Sequence, residues 1–107
     1  MAMQSIDSAA LFPQAIASGS VLIDFWAPWC GPCKALTLVL EEVEQSGRFP
    51  GMRFFKVNAD DAVGQDLGAQ FSVSSLPTLL LFQNGKLVNK VVGNPGRTGV
   101  RDFLESV

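Results

Sequence analysis

Val21-Leu22-Ile23-Asp24-Phe25-Trp26 runs through Ala27-Pro28 into Trp29-Cys30-Gly31-Pro32-Cys33-Lys34, and this stretch decides the fold. Residues 21–26 read as a buried strand: short, β-branched and aromatic, closed by Ala27 and Pro28. Both faces are apolar except at Asp24, so the strand is central and covered by helices on both sides. A helix comes next, from about Cys30 to Gln45, ending before Gly47 and Pro50. Leu36, Val39, Leu40 and Val43 fall at i, i+3, i+4, i+7, while Glu41, Glu42, Glu44 and Gln45 take the other face. The two cysteines therefore sit at a strand-to-helix junction, with Cys30 near the helix N-terminus. Unpaired backbone N–H groups and the helix dipole favour a thiolate there. The i, i+3 spacing brings both sulfurs to one side of the first turn, within bridging reach.

Three chemistries compete for the pair. A structural staple gains little: chain entropy gives about 2 kcal/mol for so short a loop, against about 3 for fifteen residues. Zinc usually takes four Cys or His ligands, and the chain has two Cys and no His, which leaves only a site shared between two chains. Thiol–disulfide exchange needs one low-pKa attacking thiol and one resolving thiol, and the motif supplies both.

The 107 residues are 48% hydrophobic with a formal net charge of −2, which predicts one domain, residues 1–107, around one core. A slightly acidic chain argues against nucleic acid, and there is no polybasic membrane patch. Apolar runs fall far short of a membrane span. Met1-Ala2-Met3-Gln4-Ser5 has neither the positive nor the long apolar region of a signal peptide. Two cysteines in a redox motif, with no disulfide framework, fit a reducing compartment, and cytoplasmic is the expectation.

Asp24-Phe25-Trp26-Ala27-Pro28-Trp29-Cys30-Gly31-Pro32-Cys33-Lys34 resembles the active-site segment of the bacterial-type thioredoxin family. Lys56-Val57-Asn58-Ala59-Asp60, Leu76-Pro77-Thr78-Leu79-Leu80-Leu81-Phe82, Asn84-Gly85 and Val92-Gly93 match as well, in the family's order and at about its spacing. The similarity covers roughly residues 20–107; the first twenty match poorly. It implies an α/β thioredoxin fold, a central mixed sheet of four to five strands flanked by helices on both faces. It also implies a disulfide reductase that acts on proteins through Cys30 and Cys33. By the same resemblance no bound cofactor and no metal are expected. The redox group is expected to be a Cys30–Cys33 disulfide, with NADPH and flavin entering only through a thioredoxin reductase that recycles the protein. The other expected partners are disulfide-containing proteins, and a monomer is expected.

Asp24 is a carboxylate in a core strand. It is either paired locally or, if buried without a strong partner, raised in pKa and able to take a proton from the dithiol; the resemblance favours the second. Lys56, on the predicted strand 52–58, can snorkel to solvent, whereas the resemblance places it beside Asp24, tuning that carboxylate. Pro77 would ordinarily be trans. In thioredoxins this proline is cis and packs against the CxxC, leaving the backbone of Leu76 open to an extended peptide. By the same resemblance Trp29, Gly31, Pro32, Leu76, Pro77, Val92 and Gly93 form a flat apolar docking surface. The chain departs from the family at Leu38, where thioredoxins commonly carry a proline that kinks the helix, so a straighter helix is expected.

Elsewhere the signals are local. Residues 3–6 predict a short edge strand or none. A helix capped by Asp7 or Ser8 runs to about Ser18, or starts near Phe12 with Pro13 in its first turn, and Gly19 ends it. Asp60 or Asp61 caps a weak helix carrying Val63, Leu67 and Phe71, its propensity lowered by Gly64 and Gly68. Strands 78–82 and 86–92 flank Asn84-Gly85, the favoured two-residue hairpin turn. A last helix, near 98–107, places Val100, Phe103, Leu104 and Val107 on one face. Two rival functions stand beside reduction. An oxidase or isomerase could use the same fold, although Gly-Pro between the cysteines offers no histidine to stabilise the thiolate. A docking subunit would need the fold and not the thiols.

Overall fold

The computed structural model describes residues 3–106. In chain order the elements are β1 (Gln4–Ser5), α1 (Leu11–Ile16), β2 (Ser20–Trp26), α2 (Gly31–Ser46), β3 (Met52–Asn58), α3 (Ala62–Gln70), β4 (Thr78–Gln83), β5 (Lys86–Val92) and α4 (Gly96–Leu104). They form a five-stranded mixed sheet in the order β1-β3-β2-β4-β5. β3 runs parallel to both β1 and β2, while β4 runs antiparallel to β2 and β5. The central strand is β2, as its two apolar faces require.

Alternation along the strands splits the interior into two cores. Leu22, Phe54, Leu79 and Leu81 pack against Leu36 and Leu40 of α2 and Val100, Phe103 and Leu104 of α4. Val21, Ile23, Phe25, Val57, Leu80 and Phe82 pack against Phe12 and Ala15 of α1 and Leu67 of α3. Helices thus cover both faces. Val107, expected on the inner side of α4, lies outside the described residues.

Several boundaries move for identifiable reasons. β1 is only two residues long and both are exposed, yet the flanking Met3 and Ile6 are buried, one in each core. α1 starts at Leu11 with Pro13 in its first turn and stops at Ile16, ahead of Gly19 at φ +72°. α4 starts at Gly96, two residues before the expected Thr98. Neither Asp60 nor Asp61 caps α3 with its side chain: Asp61 occupies the N-cap position without making that bond. Gly64, which weakens α3 by propensity, has a packing reason. A Cβ there would stand 1.9 Å from the Asn58 carbonyl oxygen, so only glycine lets α3 approach the end of β3. The Asn84-Gly85 turn has φ of +50° and +85°, the sign that a type I′ hairpin turn demands. α2 runs without a break through Leu38, whose side chain is exposed, to Gly47 in the left-handed region.

Candidate active site

Cys30 is the N-cap of α2, with extended backbone, and its Sγ accepts a hydrogen bond from the Cys33 amide at 3.2 Å. Pro32 in the first turn has no N–H to offer, so the cap bond falls to Cys33. A sulfur held there feels both a direct donor and the positive end of the helix. The two cysteines are joined as a disulfide with their Cα atoms 5.3 Å apart. Cys33 is fully buried and Cys30 is 5% exposed, so an incoming sulfur meets Cys30 first. Ala27, Trp26 and Leu76 pack around the pair.

Asp24 lies in register with Lys56 on one side and Leu79 on the other. It is fully buried, and neither carboxylate oxygen has a hydrogen-bond partner. Loss of hydration raises its pKa from 3.8 to about 7. The positive charge of Lys56 and the hydroxyl of Thr37 oppose the shift without cancelling it. Lys56 is held off by its own contact, with Nζ 5.1 Å from the Trp26 ring centroid. The hydrogen bond that Thr37 donates goes to the Cys33 carbonyl, at 2.9 Å.

The residues expected at a docking surface differ in exposure and in the contacts they make. Trp29 is 69% and Val92 56% exposed; Gly31 and Pro32 are exposed in the first turn of α2. The Leu76–Pro77 bond is cis. The Pro77 carbonyl accepts from the Gly93 amide at 2.8 Å, which ties the proline turn to the end of β5. Pro77 is itself buried, so it shapes this surface from beneath and is not part of its skin. Leu76 is half-buried, and its amide and carbonyl bond no other described residue. A groove of about 500 Å³ opens beside it, walled by Trp29, Gly64, Gly68, Ala69 and Val73.

Two residues of the site escaped the sequence reading. Asp60 accepts from Trp29 Nε1 at 2.9 Å and so anchors the exposed indole. Its signal was available: β2 and β3 are parallel, so the loop leaving β3 lies beside the loop leaving β2. Thr37, one turn beyond Cys33, gave no signal apart from helical spacing. Among the described residues, no group of three or more His, Cys, Asp or Glu side chains is placed to hold a metal ion, and no helix is long and apolar enough to cross a membrane.

Comparisons with known proteins agree on one family. The family profile described as Thioredoxin matches residues 3–106. The thioredoxin of Chlamydia caviae is 50% identical over 91 residues, covering 85% of each chain. That of Haemophilus influenzae is 46% identical over 85 residues, covering 78% of this chain and 76% of the other. Among solved structures, oxidised mitochondrial thioredoxin 3 of Saccharomyces cerevisiae superposes with a TM-score of 0.86 at 27% identity, over 98% of this chain and 95% of that one. Plasmodium falciparum thioredoxin gives 0.86 at 28% identity, over 96% and 97%. A cysteine pair bridged at the head of α2, on this sheet and among these relatives, makes the chain a thiol–disulfide oxidoreductase, and it belongs to the thioredoxin family.

Proposed function

We propose that the protein reduces protein disulfides in a reducing compartment, with Cys30 as nucleophile, Cys33 as resolving thiol and Asp24 as its proton acceptor. The reduced protein carries the Cys30 thiolate at the helix cap. It attacks one sulfur of a substrate disulfide, the other substrate sulfur leaves as a thiolate and takes its proton from solvent, and a mixed disulfide forms. The Cys33 thiol gives its proton to the Asp24 carboxylate and attacks the Cys30 sulfur. The second substrate sulfur leaves, and the Cys30–Cys33 disulfide closes. Two electrons have passed to the substrate, and a flavin-containing, NADPH-dependent thioredoxin reductase returns them. Residues 1–107 act as one domain.

The observation that carries this reading is burial: Cys33 at the head of α2 is fully buried, and so is Asp24 on the strand that leads to it, with no hydrogen-bond partner for its carboxyl. A thiol shut away from water needs an internal acceptor, and a carboxyl raised toward neutrality is matched to the task. Lys56 keeps some of that carboxyl ionised. Trp29, Gly31, Pro32, Leu76, Val92 and Gly93 seat the substrate, with the free Leu76 backbone pairing to an extended segment. Pro77 holds that backbone in place.

Cys33→Ser tests the order of events. With a disulfide substrate it should accumulate a one-to-one mixed disulfide through Cys30, and alkylation of the reduced wild type near neutral pH should label Cys30 much faster than Cys33. Capture through Cys33 in a Cys30→Ser variant at the wild-type rate would reverse the assignment.

A further inference from the structure

Cys33, Leu36, Thr37 and Leu40 lie on one inward stripe of α2. Three of them are fully buried and apolar or thiol; Thr37 is the polar member and is half-buried. Its hydroxyl donates to the Cys33 carbonyl at 2.9 Å, and the helix face that carries it, through Leu36 and Leu40, packs against Leu22 and Leu79, the sheet neighbours of Asp24. We propose that Thr37 is a positioning residue that couples the protonation state of Asp24 to the turn carrying Cys33.

The argument is one of donor supply. A hydroxyl has a single proton to donate. While that proton is on the Cys33 carbonyl, Thr37 Oγ1 can only accept, so it suits a protonated Asp24. Once Asp24 is ionised, it is a buried anion with no other hydrogen-bond donor. Hydrogen bonds to ionised acceptors are about twice as strong as neutral ones, so the hydroxyl turns to the carboxylate and releases the carbonyl. When Cys33 Sγ–H passes its proton to Asp24, the hydroxyl returns to the Cys33 carbonyl. No electrons move in this step; one proton goes from sulfur to carboxylate, and one hydrogen bond changes partner. The inference rests on the reading of Asp24 as acceptor. The charged group facing Asp24 is Lys56 on β3, while β4 presents Leu79 and α2 the hydroxyl of Thr37. Removing that hydroxyl leaves Lys56 and Leu79 in place.

The test is a carboxyl 13C NMR titration of the full-length oxidised protein, with the Asp24 signal identified by its loss in Asp24→Asn. Thr37→Val keeps the shape without the hydroxyl, Thr37→Ala does so with a better helix former, and Thr37→Ser keeps the hydroxyl. In the Val and Ala variants the Asp24 midpoint should rise by about half a pH unit or more, and the pH profile of mixed-disulfide resolution should move with it. Thr37→Ser should restore both. An unmoved midpoint in Thr37→Val or Thr37→Ala overturns the proposal and leaves Thr37 a bond to Cys33 alone. Normal resolution in Asp24→Asn would instead remove the acceptor role, a separate failure, since the midpoints still judge the hydroxyl.

Discussion

The two faces of the sheet share their strands but treat buried polarity differently. Toward α1 and α3, the rings of Phe12, Phe71 and Phe82 meet at centroid distances of 5.4 to 5.7 Å in tilted and edge contacts. The buried polar side chain on that face is Thr78, and its hydroxyl donates to the Ser75 carbonyl at 2.6 Å. Toward α2 and α4 the packing is equally apolar until Asp24, which is just as buried and has no partner. An unsatisfied buried carboxyl is expensive. One face therefore satisfies its buried hydroxyl in place, and the other leaves a buried carboxyl without a hydrogen-bond partner.

The largest effect should come from the aromatic face. Phe82→Ala removes a ring shared by two aromatic contacts and should cost about 3–5 kcal/mol in urea unfolding. Disulfide reduction per folded molecule should stay near wild type, because the ring is remote from the sulfurs; a specific loss of activity would show that the two faces are not separable.

Asp24→Asn should act in the opposite direction. Between 3.8 and about 7 the native state binds a proton that the unfolded state has released, so wild-type stability falls as pH rises through that window and levels off above it. The shift sets a ceiling on the order of 4 kcal/mol. Because the Asn amide inherits the same unpartnered site, a gain of about 2 kcal/mol at pH 8 is expected, with the gap closing toward pH 4. Single-turnover assays should show slow release of the mixed disulfide and a nearly normal first attack. Equal stability at pH 8 with normal resolution would make Asp24 an ordinary satisfied aspartate.

Thr78→Val is the smaller counterpart. It strips the donor from the Ser75 carbonyl and should destabilise by about 1 kcal/mol at every pH. A stabilising Thr78→Val would erase the contrast between the faces.

Most of this was legible where the pattern was dense. β2 announced itself through apolar residues on both faces, the hairpin through Asn84-Gly85, and α2 through its spacing from Leu36 to Val43. The CxxC and the segments around Lys56 and Pro77 carried the resemblance that supplied the roles. β1 was hard to see because its anchors, Met3 and Ile6, lie outside the paired residues and point to different cores. Gly64 looked like a weakness because propensity describes an isolated helix, whereas the Asn58 carbonyl beneath it is a tertiary fact. Asp60 looked like a cap until the indole of Trp29 took its carboxylate. Thr37 gave no warning, since its hydrogen bond to the Cys33 carbonyl is a rotamer choice that helical spacing does not reveal.

The burial of the disulfide has a consequence for traffic. With Cys33 sealed and Cys30 showing only 5% of its surface, the stored oxidising equivalent is insulated. A small thiol diffusing past finds little sulfur to strike and no seat to hold it in line. Exchange at this disulfide therefore begins at Cys30, the one sulfur of the pair with any exposed surface.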